Sequence, residues 1–293
     1  MKRFFKLTIL FIVILFLASL LLDVIYTSIL SNSEVRNKVE NIIHTKNKKY
    51  DVIIMGTSRA NNHFVTKAFE YKGYKAFNYG ISGAHLFETS LLLKLMIANN
   101  YEIKNIVLEA DLSICNEKRD DGTTARFMPY IHQNEIIKKH YKNEVDFYQI
   151  YYLPFYRYIK FDNKIGFREL YDVSSKKATN TLHNKGYYPL ISHKKGNMKN
   201  DISTLKVIRN KYYEEIKQIC KKNNIKLTVV MTPMCQNTKG LNYFSKVQQL
   251  YPEIHNFENV FTDDAYFASC GHLNNEGANI YTNYIMNFLQ LGL

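Results

Sequence analysis

Three short stretches of the 293-residue chain bring together residue types suited to acyl-transfer chemistry. In "MGTSR" (Met55–Arg59) a glycine and two hydroxyl residues follow an apolar run, and Ser58 stands where a hydroxyl nucleophile could be held clear of the chain. In "NYGISG" (Asn78–Gly83) Gly80 lets a backbone N–H approach a developing oxyanion with no side chain in the way. In "GHLNNEGA" (Gly271–Ala278) His272 precedes a helical run and can take the serine proton and return it to a leaving group. At a helix amino end, backbone N–H groups and the helix dipole favour negative charge, so the Ser58 amide would join Gly80 in stabilising the oxyanion. Each stretch taken alone is equally compatible with an ordinary turn.

The elements that must position these residues alternate in type. Short apolar runs at Asp51–Met55, Lys75–Gly80, Asn105–Asp111, Ile225–Pro233 and Asn259–Asp264 read as five strands. Helical periodicity lies between and after them, at Leu86–Asn100, Leu205–Asn224, Phe244–Tyr251 and Asn275–Gln290. Strands continuous in apolar residues and alternating with helices predict an α/β fold with a parallel sheet covered on both faces. In such sheets, sites collect at the carboxyl ends of the strands, where "GTSR" and "NYGISG" fall. The interval Leu112–Ser203 breaks the rhythm and reads as a partly helical insertion over one end of the sheet, with a tyrosine-rich run at Asp146–Phe161.

The three blocks, in this order, resemble those of the SGNH (GDSL-like) hydrolase superfamily. They are most similar to its membrane-anchored, cell-envelope branch of DltD-like and polysaccharide O-acetylation proteins. The resemblance covers roughly Asp51 to Leu289 and implies a flavodoxin-like three-layer α/β/α sandwich of about five strands. It also implies Ser58 as nucleophile, His272 as base, and the Ser58 and Gly80 amides as oxyanion donors. No cofactor and no metal is implied. Two departures stand out. The superfamily places an aspartate three residues before the histidine, where this chain has Ser269; Asp263 and Asp264 lie upstream as substitutes, and a backbone carbonyl is a further candidate. The family's oxyanion asparagine has no clear counterpart in "LEADLSICN", where Asp111, Ser113 and Asn116 are the nearest candidates. Arg59 reads as a first-turn structural residue or an anchor for an acidic group, and Asn274 as a further orienting or substrate-contacting side chain. His63 and His85 read as surface or structural.

The amino terminus bears on location. Lys2, Arg3 and Lys6 precede Leu7–Leu30, in which Asp23 is the one charge, and the 24 positions suffice for a membrane crossing of about 20 residues. Basic residues ahead of the span predict a cytoplasmic N-terminus and a single-pass anchor with the main domain outside. The competing reading is a cleavable signal peptide, with Ser31 and Ser33 as the small residues. Residues 31–50 read as a stalk, and 51–293 as one domain with an insertion at about 112–203.

Lys and Arg exceed Asp and Glu by 39 to 26, a net charge of +13, but the lysines are scattered and no nucleic-acid module is present. Cys115, Cys220, Cys235 and Cys270 lack metal spacing; free structural thiols are the simpler description for most of them, and in an exported domain pairing is open with no connectivity assigned. The expectation is an envelope-anchored serine esterase or O-acetyltransferase, its partners a cell-envelope polysaccharide or acylated glycan, the membrane, and a membrane-bound acyltransferase. The alternative is a catalytically degenerate relative that binds glycan or scaffolds an export or acetylation complex.

Overall fold

The computed structural model describes residues 1–32, 35–177, 179–191 and 198–290, which form two compact units. One joins Met1–Val35 to Asp121–Ala178; the other joins Arg36–Asp120 to Thr179–Leu293. In chain order the elements begin with α1 (Lys2–Asn32), α2 (Lys38–His44), β1 (Lys49–Met55), α3 (Ser58–His63), α4 (Thr66–Tyr71), β2 (Ala76–Asn78), α5 (Leu86–Ala98) and β3 (Glu102–Glu109). Six short helices follow: α6 (Asp121–Phe127), α7 (Glu135–Tyr141), α8 (Phe147–Tyr152), α9 (Tyr156–Lys160), α10 (Asp162–Ile165) and α11 (Phe167–Ser174). The chain then returns to β4 (Asn200–Asp201), α12 (Lys211–Lys222), β5 (Lys226–Met231), β6 (Thr238–Lys239), α13 (Asn242–Leu250), β7 (Ile254–Asn256), β8 (Phe267–Ser269), β9 (His272–Leu273) and α14 (Asn275–Phe288).

The larger unit is the expected α/β fold, a five-stranded sheet in the order β2-β1-β3-β5-β7 with every pairing parallel. Val52–Met55 and Ile106–Leu108 are fully buried, as strands covered on both faces must be. Helix α5 lies in the interior along almost its whole length, which is why its sequence is apolar all round. The chain leaves β1 toward β2 on one side and later builds β3, β5 and β7 on the other. The crevice at the carboxyl ends of β1 and β3 is therefore the topological switch point of the sheet.

Several boundaries depart from the sequence reading. The fifth strand is Ile254–Asn256, paired with β5 through Val230 and His255, and not Asn259–Asp264. That segment instead packs its apolar residues as a loop, with the Phe261 ring 4.8 Å from the Tyr266 ring. The supposed stalk contributes α2 to the sheet unit, capped by Asn37 and burying Val39 and Ile42. Of the insertion, Asp121–Ala178 forms helices that group with the amino-terminal helix, while the residues on either side of it group with the sheet. Helix α1 is long and apolar enough to cross a membrane, and none of its most apolar stretch is buried. Ser31 is buried in its last turn, whereas Ser33 lies outside the described residues.

Candidate active site

The loop that carries Ser58 is shaped by the strand that precedes it and the strand beside it. At the end of β1, Gly56 adopts φ +136°, and a Cβ there would lie 2.6 Å from the Glu109 carbonyl oxygen. Only glycine lets the two strand ends come this close. Thr57 then turns the chain into α3, its hydroxyl oxygen accepting the Arg59 N–H at 3.2 Å. The Thr57 N–H and O–H both donate to Glu109 Oε2, at 2.7 and 2.6 Å. Ser58 is the first residue of α3 and is half-buried.

A second element brings His272 to it. Strands β8 and β9 form a tight antiparallel hairpin in which Ser269 pairs with His272, the turn made by Cys270 and by Gly271 at φ +85°. The His272 Nε2 atom lies 2.8 Å from Ser58 Oγ, across 214 residues of sequence. On the other side of the ring, Nδ1 faces Ser269 Oγ at 3.4 Å. With Nδ1 carrying its proton toward Ser269, Nε2 accepts from the serine hydroxyl, the tautomer that a general base requires. Burial and then the Arg59 charge hold the His272 pKa below its ordinary 6.5, with Asp111 opposing, so the imidazole is neutral at pH 7.

His63 was missed as part of this site. It is fully buried, its Nε2 accepts the Leu273 N–H at 3.1 Å, and its ring meets that of His272 edge-on at 6.3 Å. It thereby fixes the strand that carries the base. Burial, then the charges of Arg59 and His272, push its pKa well below the usual value. Nothing in the sequence marks it except its place at the end of the helix that Ser58 opens.

Gly80 faces the same loop from β2. A Cβ there would stand 2.6 Å from both Ala60 Cβ and the Asn61 nitrogen, so this position is closed to any side chain. Its N–H donates to Asn78 Oδ1 at 2.9 Å, which commits the amide inward instead of leaving it free for an oxyanion. Asn78 in turn donates to the Ala60 carbonyl at 2.7 Å, tying the glycine block to α3. Lys38 from α2 is buried beneath, donating to the Gly80 carbonyl and, at 2.7 Å, to Asn61 Oδ1.

Arg59 is almost wholly buried and turned away from any substrate. Its Nε lies 3.2 Å from Asp111 Oδ2 and donates to Thr232 Oγ1 at 2.8 Å, while Nη2 donates to the carbonyls of Thr232 and Pro233. It therefore staples α3 to the carboxyl end of β5 and anchors an internal acid. Burial and the nearby Asp111 carboxylate push the Glu109 carboxyl above its ordinary range, so the pocket holds one compensated ion pair beside a largely neutral acid. Asp111, Ser113 and Asn116 offer no oxyanion donor: the first two are buried, and the Asn116 amide is turned to the Cys115 sulfur at 3.3 Å.

The remaining candidates are structural. Asp263 accepts the Ala265 N–H at 2.8 Å and Asp264 the Gln236 N–H at 3.2 Å, so neither substitutes for the missing carboxylate at Nδ1. Asn274 caps α14 by accepting the Gly277 N–H at 2.9 Å and donates to the Ala265 carbonyl. Cys235 and Cys270 form a disulfide, a pairing the sequence left open, and it ties the Ser269–His272 turn to the loop after β5. Cys115 and Cys220 are free, and burial pushes the Cys220 thiol up to about 12. Among the described residues no group of three or more His, Cys, Asp or Glu is placed to hold a metal ion.

No protein-family model matches the chain, and no curated protein matches it.

Proposed function

We propose that the protein is a membrane-anchored serine acyl-hydrolase or O-acyl transferase of the SGNH type, acting on an ester of a cell-envelope polysaccharide. The observation that carries this reading is the 2.8 Å approach of Ser58 Oγ to Nε2 of a neutral, hairpin-held His272. Ser58 Oγ attacks the acyl carbon as its proton passes to Nε2, and the resulting oxyanion lies against the free N–H of Ser58 at the start of α3. The imidazolium then protonates the departing alkoxide, leaving an acyl-serine. A water or a sugar hydroxyl, deprotonated by His272, releases the acyl group by the reverse steps.

The glycan part of the reading is supported by a cavity of about 540 Å³ lined by Tyr71, Tyr187, Asn184, Asn275, Asn279 and Asn283, among others. Amides and tyrosine rings of this kind hydrogen-bond and stack on sugars, and Asn275 lies three residues after His272. Placement outside the cytoplasm is supported by the apolar span of α1, by Lys2, Arg3 and Lys6 ahead of it, and by the Cys235–Cys270 disulfide, which suits an oxidising compartment.

The degenerate, glycan-binding reading has one observation in its favour: a serine hydroxyl at 3.4 Å stands where a carboxylate would orient His272. A fluorophosphonate probe distinguishes the two. Covalent labelling that is lost in Ser58→Ala and in His272→Ala supports catalysis; absence of labelling in the wild-type chain supports the binding role.

A further inference from the structure

The unit formed by Met1–Val35 and Asp121–Ala178 carries a surface that the proposed chemistry does not use. Helix α1 is bare from its start to about Ile25: Phe4 is 69% exposed and Ile25 40%, with large apolar side chains exposed throughout the interval. Those 22 positions span about 33 Å of helix, close to the ~30 Å of a bilayer's hydrocarbon core. Burial begins in the turn just beyond, at Tyr26, Leu30 and Ser31.

The boundary is marked by a polar clasp. Asp23 accepts the Phe155 N–H on Oδ2 at 2.8 Å, and its Oδ1 pairs with Arg157 Nη2 at 2.9 Å. Arg157 also donates to Thr27 Oγ1 at 2.9 Å, and the Thr27 and Tyr158 hydroxyls meet at 2.7 Å. The Tyr26 ring stands edge-on to Phe155 at 4.9 Å. Phe155 itself adopts a left-handed φ of 64°, a conformation a phenylalanine holds only when its surroundings impose it. The loop between α8 and α9 is therefore fixed at the level of the helix where the bare apolar stretch ends.

Around that level the insertion helices turn apolar residues outward. Tyr148 and Tyr152 share one face of α8 with their rings stacked 6.1 Å apart, and Phe167 and Tyr171 share one face of α11, which packs beside α1. With Leu153 and Ile159 these six are 50–72% exposed. Among the described residues the short segment Asp121–Ala178 exposes seven large hydrophobic side chains, whereas the much longer sheet unit exposes six. Exposed Lys164 and Arg168 flank Phe167 in sequence. Tyrosines beside basic residues, at the end of a crossing helix, are what a membrane–water interface selects.

We propose that Tyr148, Tyr152, Leu153, Ile159, Phe167 and Tyr171 form a collar seated in the headgroup zone of the bilayer that α1 crosses. The occupant of this surface is phospholipid, continuous with the lipid around α1, and the Asp23–Arg157 clasp sets the depth at which the collar sits. The inference rests on α1 crossing a membrane, not on the acyl-transfer chemistry.

The chain contains no tryptophan, so single substitutions give site-specific fluorescence. Full-length Tyr152→Trp, Phe167→Trp and Leu15→Trp would be placed in vesicles of phosphatidylcholine and phosphatidylglycerol, with and without bromine on the shallow acyl carbons. For collar rings lying about 5–10 Å into the headgroup–acyl boundary, about half of the Tyr152→Trp and Phe167→Trp emission is expected to be lost to bromolipid, with protection from aqueous iodide. Emission from both that is open to iodide and untouched by bromolipid overturns the collar. So does protection from iodide without bromolipid quenching, because protein would then cover the face. Leu15→Trp, near the middle of the bare span, is read against bromine on the deep acyl carbons: if it too is unquenched, α1 is not in the bilayer and the collar falls with it.

Discussion

Ser269→Asp restores the carboxylate that the SGNH resemblance leads one to expect, and its effect follows from the hairpin geometry. Ser269 Oγ lies 3.4 Å from His272 Nδ1, so an aspartate oxygen reaches the same atom with a small adjustment. At that separation and an effective dielectric of about 20, a carboxylate and an imidazolium attract by roughly 5 kcal/mol. Both residues are half-exposed, so solvent and the cost of ordering the new side chain reduce the net gain to roughly 1.5–3 kcal/mol, the range of charged hydrogen bonds. That corresponds to a rise of about 1–2 units in the His272 pKa.

The consequences for rate have opposite signs at the two ends of the pH range. Proton transfer from Ser58 creates the imidazolium, so a partner for it accelerates acylation by about 10–100-fold wherever the base starts neutral. The base is neutral only above its pKa, so the acid limb of the rate profile moves to higher pH and the gain shrinks below neutrality. Ser269→Ala removes the hydroxyl and slows acylation by about 3–10-fold, the worth of a neutral hydrogen bond. The assay is the rate of fluorophosphonate labelling and of aryl acetate hydrolysis across pH, beside a nuclear magnetic resonance titration of the His272 ring. A His272 pKa that rises in Ser269→Asp with labelling unchanged at every pH would show that His272 is not the base. A pKa that does not move would refute the Nδ1 geometry itself.

Reduction of Cys235–Cys270, which bridges a sequence separation of 35, removes about 4 kcal/mol of unfolded-state restriction and loosens the turn that carries Ser269 and His272. Dithiothreitol should lower both the melting temperature and the Ser58 labelling rate, and an unchanged labelling rate would separate the bridge from the site. Gly80→Ala forces a methyl against Ala60 and the Asn61 nitrogen, so a loss of about 1–3 kcal/mol in stability with displaced α3 is expected by thermal unfolding and labelling. Between about pH 7.5 and 8.5 an unfolded histidine, with its ordinary pKa of 6.5, has lost most of its proton, so the histidines with lowered pKa, His44, His63, His85, His132, His255 and His272, contribute little slope. Burial pushes Glu88 up to about 8, so the folded state holds a proton that the unfolded chain releases, and stability should fall as pH rises through this window. Melting temperatures that instead rise from about pH 7.5 to 8.5 would contradict the buried, protonated Glu88.

What was legible in the sequence was whatever local chemistry dictates. The unbroken "VIIM" of β1, the glycine that ends it and the helix opening after "HLN" all read directly, because strand burial and helix starts leave patterns within a few residues. The fifth strand was misplaced for the same reason. Ile254–Asn256 is three residues long at the sheet edge, where one buried face suffices, while the more apolar Val260 and Phe261 fill space beneath a loop. Contacts that depend on long-range pairing could not be fixed from local pattern: the approach of Ser58 to His272, the choice of Cys235 as partner for Cys270 and the hold of His63 on Leu273. Lys38 looked like one more lysine of a polar stalk, and only the folded chain shows it beneath the glycine block.

The acidic side chains of "VLEAD" bear on how the proposed site would work with a serine at position 269. In a full triad the negative charge lies against the histidine, raises its pKa and stabilises the imidazolium; its loss costs serine proteases about four orders of magnitude in turnover. Here the nearest acid identified as acting on His272 is Asp111, and it is already neutralised by Arg59, so the residual field from the pair and the burial of the ring both favour neutral imidazole. A base that is neutral at pH 7 is ready to accept the Ser58 proton, but the imidazolium it becomes has only a hydroxyl to lean on. Acylation should therefore proceed across a wide pH range and slowly, and the intact Arg59–Asp111–Glu109 network serves to hold the loop that carries Ser58 in place while it does.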